Sequence, residues 1–200
     1  MTNKPILFFD FDRTLCFDRY WRSLPAPAFA FVQEYIFGAD RTLLNEWMRG
    51  KYSAEEINHQ LAPLIGMQFD DLWQLFVHDC ETMYIDPSVL GAIHSLRTRY
   101  TTILITGNMD SFTRFTVPAL SLDQYFDHIN NSSVTGRLKT DEGGRVFIDH
   151  AQALNVPIAQ CTLLDDSLET CQVFEKIGGR ACVVSEDKPI MVRLEELGVL

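Results

Sequence analysis

The chain has 200 residues, 46% of them hydrophobic, and a formal charge of −10. That length holds one large domain, or one domain carrying an insertion, with apolar material for a real core. The negative charge argues against a partner read through a polyanionic backbone, so no nucleic-acid polymer is expected; a local positive pocket for one phosphate stays open.

The first apolar run, Ile6-Leu7-Phe8-Phe9, is too short for a signal peptide, and carboxylates interrupt it at once. No stretch approaches the length of a membrane span. A cytoplasmic protein with no membrane partner is expected. The 5 cysteines are odd in number and form no CxxC, which reads as reduced core thiols. Cys16 lies near Asp12 and is a poor nucleophile there, because carboxylates raise a thiol pKa. The 5 histidines form no HxH or HExxH pattern, so no zinc is expected.

Bulky residues at 6–9 predict a strand buried on both faces, as in a parallel sheet. It runs into Asp10-Phe11-Asp12-Arg13-Thr14. If the extended chain continues, Asp10 and Asp12 project from one side. Two acids so placed resist ionisation unless a cation or a proton sits between them. That is the electrostatics of a metal site or an acid/base site.

From Asp18 to about Cys80 the pattern turns helical. Apolar stripes run through Phe29, Val32 and Ile36, then through Leu43, Leu44, Trp47 and Met48. Ile57, Leu61 and Leu64 follow a capping box at Ser53–Glu56, and Phe69, Leu72, Phe76, Cys80 and Met83 form a last stripe. Pro25, Pro27, Gly38, Gly50 and Gly66 fall between the stripes. A bundle of roughly four helices is predicted.

Helix and strand alternate from Asp86, an N-cap followed by proline. A helix to about Tyr100 leads to the β-branched strand 101–106, which ends in Gly107-Asn108. A helical segment interrupted near Pro118 precedes a weaker strand from about His128 to Val134. A loop with Gly136 and Lys139 leads to a helix over Val146–Leu154. The strand 161–164 then runs into Asp165-Asp166-Ser167, and a helix stopped by Gly178-Gly179 precedes a last strand at 181–184. The fold class is α/β: a doubly wound, Rossmann-like parallel sheet with an inserted helical cap. The predicted core comprises 1–15 and 86–200, and the cap 16–85.

Ligands of open α/β sheets bind beyond the carboxyl ends of the strands. Asp10 and Asp12, Thr106-Gly107-Asn108, and Asp165-Asp166 stand at such ends, and Lys139 precedes the last of them. Asp-x-Asp, a Thr-Gly-Asn turn, a capping Asp-Asp-Ser or a loop lysine means little alone. The ordered set is informative.

By those four motifs the chain resembles the haloacid dehalogenase-like superfamily, and within it the phosphatases. Asp10, Asp12 and Thr14 match its first motif, Thr106 the second, Lys139 the third, and Asp165-Asp166 the fourth. An insertion between the first and second motifs corresponds to the family's type 1 cap. The resemblance implies that Asp10 is a nucleophile forming an aspartyl-phosphate, and that Asp12 is the general acid and base. It implies that Thr106 and backbone amides near Phe11, Asp12, Gly107 and Asn108 hold phosphate, with Lys139 neutralising charge. Mg²⁺ is the implied metal, held by Asp10, the Asp12 carbonyl and Asp166, with Asp165 acting through water or in place of Asp166. Arg137 is the alternative to Lys139, because the usual Lys-Pro is absent. Arg13 stands where the family often has glycine, and either points outward or pairs with a nearby acid.

The implied activity is hydrolysis of a small phosphorylated metabolite. Asp12 argues against the dehalogenase and phosphonatase branches, which lack an acid there. A phosphomutase would use the same site, and a catalytically silent module binding a phospho-ligand is the non-enzyme alternative. A signalling receiver domain has the wrong motif order and no helical insertion. Phe17 to Arg22 could face the leaving group; Arg41, Arg49 and Lys51 could meet a second anion or simply be solvated. Oligomeric state is not readable from the sequence.

Overall fold

A computed structural model describes residues 3–200. Its centre is a five-stranded parallel sheet in the order β3-β2-β1-β4-β5. The strands are β1 (Ile6–Phe9), β2 (Thr101–Thr106), β3 (His128–Asn131), β4 (Cys161–Asp165) and β5 (Arg180–Val183). β1 occupies the middle and is buried on both faces, which is why it is apolar without alternation. The register sets Phe9 beside Leu104 on one side and Leu164 on the other. The chain moves outward from β1 through β2 to β3, then returns to the other side for β4 and β5. That reversal places a topological switch point between β1 and β4, where the first and fourth motifs emerge together.

Side chains of β1 alternate between two cores. Ile6 and Phe8 face α8 (Arg145–Ala153) and α9 (Leu168–Lys176), where Phe8, Phe147 and Phe174 pack edge to face at 4.8–5.8 Å. Leu7 and Phe9 face the larger core, which continues through α5 (Pro87–Leu96) and α10 (Ile190–Glu196) into the helical segment.

That segment contains α1 (Ala26–Phe37), α2 (Thr42–Met48), α3 (Ala54–Leu64) and α4 (Phe69–Glu81). Val32, Ile36, Leu44, Trp47, Ile57, Leu61, Leu72 and Phe76 are buried as their stripes require, whereas Leu64, on the last turn of α3, is 51% exposed. The capping box is formed: Glu56 N–H donates to Ser53 Oγ, and Ser53 N–H donates to Glu56 Oε2. The two ends of the segment lie together, since the Tyr84 N–H donates to the Asp18 carboxylate at 2.8 Å.

The segment is also tied to the sheet half. Trp47 Nε1 donates to Asp110 Oδ1 at 2.8 Å, and Ala54 N–H to Asp110 Oδ2 at 3.2 Å. Arg114 bonds both Asp110 and Glu55. Gly50, at φ +74°, packs against the turn after β3: a Cβ there would stand 2.3 Å from the Ser133 carbonyl oxygen.

Two elements differ from expectation. The interruption ahead of Pro118 is a π-helical stretch, Phe112–Thr116, with Val117 N–H bonded to the Phe112 carbonyl, before the single turn α6 (Val117–Ala119). The weak strand stops at Asn131, whose side chain accepts from Ser133 N–H and caps α7 (Ser132–Thr135).

Candidate active site

The ladder of β1 extends one residue beyond the strand, because Asp10 N–H donates to the Leu164 carbonyl at 2.9 Å. The chain then turns tightly: the Phe11 carbonyl accepts from Leu15 and Cys16, and Arg13 adopts φ +57°. Arg13 therefore occupies left-handed backbone, the physical reason a glycine suits that position. Its side chain is 59% exposed, with Nε 3.6 Å from Asp166. Both readings of Arg13 hold at once.

Lys139 follows α7 and a left-handed Gly136. Its Nζ lies 2.7 Å from Asp10 Oδ1 and 2.6 Å from Asp165 Oδ2. Asp165 is fully buried, and its Oδ1 accepts from Ser167 N–H at 2.8 Å. Arg137 pairs with Asp149 instead, at 3.1 Å, so Lys139 is the cation at Asp10. Asp10, Asp165 and Asp166 offer carboxylate oxygens that all lie within 4.8 Å of one another. Such a set of hard oxygens suits a divalent cation, and Mg²⁺ in particular, which takes a few carboxylates and keeps water in its remaining positions.

Asp12 faces elsewhere. Its Oδ2 accepts from Asn108 Nδ2 at 2.8 Å, and its side chain is outside the trio of carboxylates. Thr106 ends β2, the neighbouring strand, with its buried Oγ1 unpartnered; Thr14 Oγ1 is likewise buried and free. The Phe11 ring packs on Phe112, which leaves only its backbone for a ligand. A cavity of about 1040 Å³ opens beside these groups, although Thr14, Thr106 and Asn108 are not among the residues that line it. Asp10, Asp12, Gly107, Lys139, Asp165 and Asp166 line one part of it, and Arg19, Gln33, Arg41, Asn45 and Arg49 another.

The electrostatics follow from this crowding. Burial, reinforced by Asp165 and Asp12, holds the Asp10 carboxyl well above the usual range although Lys139 opposes it. Burial pushes Asp12 up to about 6, against the pull of Lys139 and Arg19. Asp166 is also raised, by burial and by Asp165. Burial would depress Lys139, but the two carboxylates it bridges outweigh that and raise it. For all three carboxyls burial is the largest cause, and neighbouring carboxylates add to it. Cys16 is pushed up to about 12 by burial, which leaves it an inert thiol.

The sequence placed Asn108 here through its backbone only; its side chain on Asp12 was not foreseen, nor was the role of Asp165 as second partner of Lys139. Tyr20 and Asp110 also carry contacts that no motif announces.

No protein-family model matches the chain, and no curated protein matches it. Solved structures do. A predicted HAD-like family hydrolase from Porphyromonas gingivalis superposes with a TM-score of 0.75 at 19% identity, over 98% of both chains. A HAD family enzyme from Bacteroides thetaiotaomicron, in complex with magnesium and inorganic phosphate, gives 0.70 at 17% identity, over 91% of this chain and 94% of that one. A 2-haloacid dehalogenase from Pseudomonas syringae gives 0.59 at 18% identity, over 92% and 86%. With its central β1 and its four motifs gathered at one end of the sheet, the chain has the haloacid dehalogenase-like fold.

Proposed function

We propose that the protein is a Mg²⁺-dependent phosphatase acting on a small phosphomonoester through an aspartyl-phosphate. The observation that carries this reading is the division of labour among the acids: Asp10 is bridged by Lys139 to Asp165, while Asp12 stands apart on Asn108. Asp10 attacks phosphorus as the ester P–O bond breaks, and Asp12 gives its proton to the leaving oxygen. Asp12 then takes a proton from water, which attacks the aspartyl-phosphate and frees Asp10. The Thr106 hydroxyl and the backbone amides of 107–108 receive phosphate oxygens, and Lys139 offsets their charge. Mg²⁺, when bound by Asp10, Asp166 and the Asp12 carbonyl, supplies the remaining positive charge; the magnesium and phosphate complex of the Bacteroides enzyme supports this assignment.

Residues 16–85 serve as a cap that encloses the leaving group, and Arg19 and Arg41 on the cavity wall favour an anionic metabolite. Asp12 separates this reading from that of a 2-haloacid dehalogenase, because halide departs without protonation. The test is turnover of a panel of aryl and metabolite phosphates with Mg²⁺. Phosphate release by the wild type, lost in Asp10→Asn, is expected. No turnover of any ester, or an Asp10→Asn variant as active as wild type, would sink the proposal.

A further inference from the structure

Tyr20 lies just beyond the first motif and is 4% exposed. Its hydroxyl donates to Asn108 Oδ1 at 2.8 Å, and the Met109 backbone N–H donates to the same oxygen at 3.0 Å. A backbone N–H can only donate, so the atom it meets must be the carboxamide oxygen. The amide is thereby fixed in one orientation, and its Nδ2 is the group presented to Asp12 Oδ2, at 2.8 Å. An Asp12 oxygen that accepts from an amide leaves Oδ1 as the oxygen that handles a transferable proton.

Tyr20 is itself held by the helical segment. Its ring stacks on Phe76 of α4 with centroids 6.0 Å apart and meets Trp21 edge-on. Its carbonyl accepts from Gln33 Nε2 of α1 at 3.1 Å. The chain of contacts runs from α1 and α4 through Tyr20 and Asn108 to Asp12.

We propose that Tyr20, itself held by α1 and α4, is a positioning residue for the proton donor, which aims Asp12 at the leaving oxygen through Asn108. The inference rests on the phosphatase reading. Its signature is selective: an alkoxide needs a proton to leave, whereas a nitrophenolate leaves nearly as well without one. Misaiming Asp12 therefore slows phosphoryl transfer from alkyl esters and spares transfer from aryl esters. Hydrolysis of the aspartyl-phosphate, where Asp12 is the base, is common to both, so the selectivity is read in kcat/KM, which reports the transfer step alone.

The experiment compares p-nitrophenyl phosphate with glycerol phosphate, with Mg²⁺, in wild type and Tyr20→Phe, which keeps the ring and removes the hydroxyl. The expected result is a fall in kcat/KM of about tenfold on the alkyl ester, with kcat/KM on the aryl ester within about twofold, a fraction of the full general-acid contribution. An equal fall in kcat/KM on both esters, or no fall on either, overturns the inference and leaves the phosphatase reading standing. Absence of turnover of both esters by wild type overturns the phosphatase reading and this inference with it. If Tyr20→Phe does not fold by circular dichroism, Phe76→Leu, which removes the ring stacked on Tyr20, must give the same alkyl-selective loss, and an unselective loss there is equally decisive against it.

Discussion

Lys139 Nζ lies 2.7 Å from Asp10 Oδ1, and the lysine side chain is only 12% exposed. A buried cation of this kind offsets two carboxylates at once, since Asp165 shares it. Removing it leaves both uncompensated, which costs more than the pair contributes when intact.

Lys139→Met is accordingly expected to lower stability by about 3 kcal/mol at pH 8. The loss shrinks as pH is lowered from 8 to 5, because Asp10, whose carboxyl is already raised, takes up a proton more readily than an ordinary aspartate. Urea denaturation at the two pH values checks this. A deficit that does not change with pH would mean that lost packing, not lost charge, is responsible.

Asp12 gives a second pH signature. Its folded value, about 6, is above the ordinary 3.8, so the folded chain binds the extra proton between those values. Stability must then fall as pH rises from about 4 to about 6. Metal-free wild type should lose stability against Asp12→Asn through that window and run parallel to it above. Paired thermal melts in EDTA supply the measurement.

Mg²⁺ should stabilise the protein by relieving the same repulsion, by about 2.7 kcal/mol at a hundredfold excess over Kd. Asp166→Asn should weaken binding of the metal at least about tenfold, since a carboxylate ligand is lost. Isothermal titration with Mg²⁺ distinguishes this from a passive Asp166, which would leave affinity as it was.

Asp110 offers a prediction independent of any reaction. Asp110→Ala leaves the Trp47 indole N–H and the Ala54 N–H unpaired and frees one bond of Arg114. A cost of about 2 kcal/mol is expected, from orphaned donors in part-buried surroundings. Hydrogen exchange should quicken first at Ala54 and along α2. Unchanged exchange there would show that Asp110 does not fasten the helical segment.

Much of the fold was legible because β1 declares itself: a buried central strand cannot alternate, and Ile6 to Phe9 do not. The capping box at Ser53 and the proline-led start of α5 were equally plain, since each depends on neighbours in sequence. The carboxyl-end cluster was legible through position at strand ends. Side-chain pairing across strands was not. Asp165 reaches Lys139 only because the β1–β4 register brings Asp10 and Asp165 level with one loop. Asn108 read as a turn residue because its partners, Tyr20 and Asp12, are 88 and 96 positions away. The end of β3 was misplaced for a local reason: Asn131 can cap a helix as readily as extend a strand.

The bond from Tyr84 N–H to the Asp18 carboxylate has a consequence for how such a chain can be altered. It brings the ends of the helical segment together beside the sheet. A segment whose ends meet can be exchanged without rerouting any strand, provided the replacement also reproduces the ties to Asp110 and Arg114 and covers the shared core. A short linker in place of the span between Asp18 and Tyr84 would bare that core, whereas grafting in another helical segment that covers it is open to engineering. New selectivity could then arise by transplantation, with the strands beneath undisturbed.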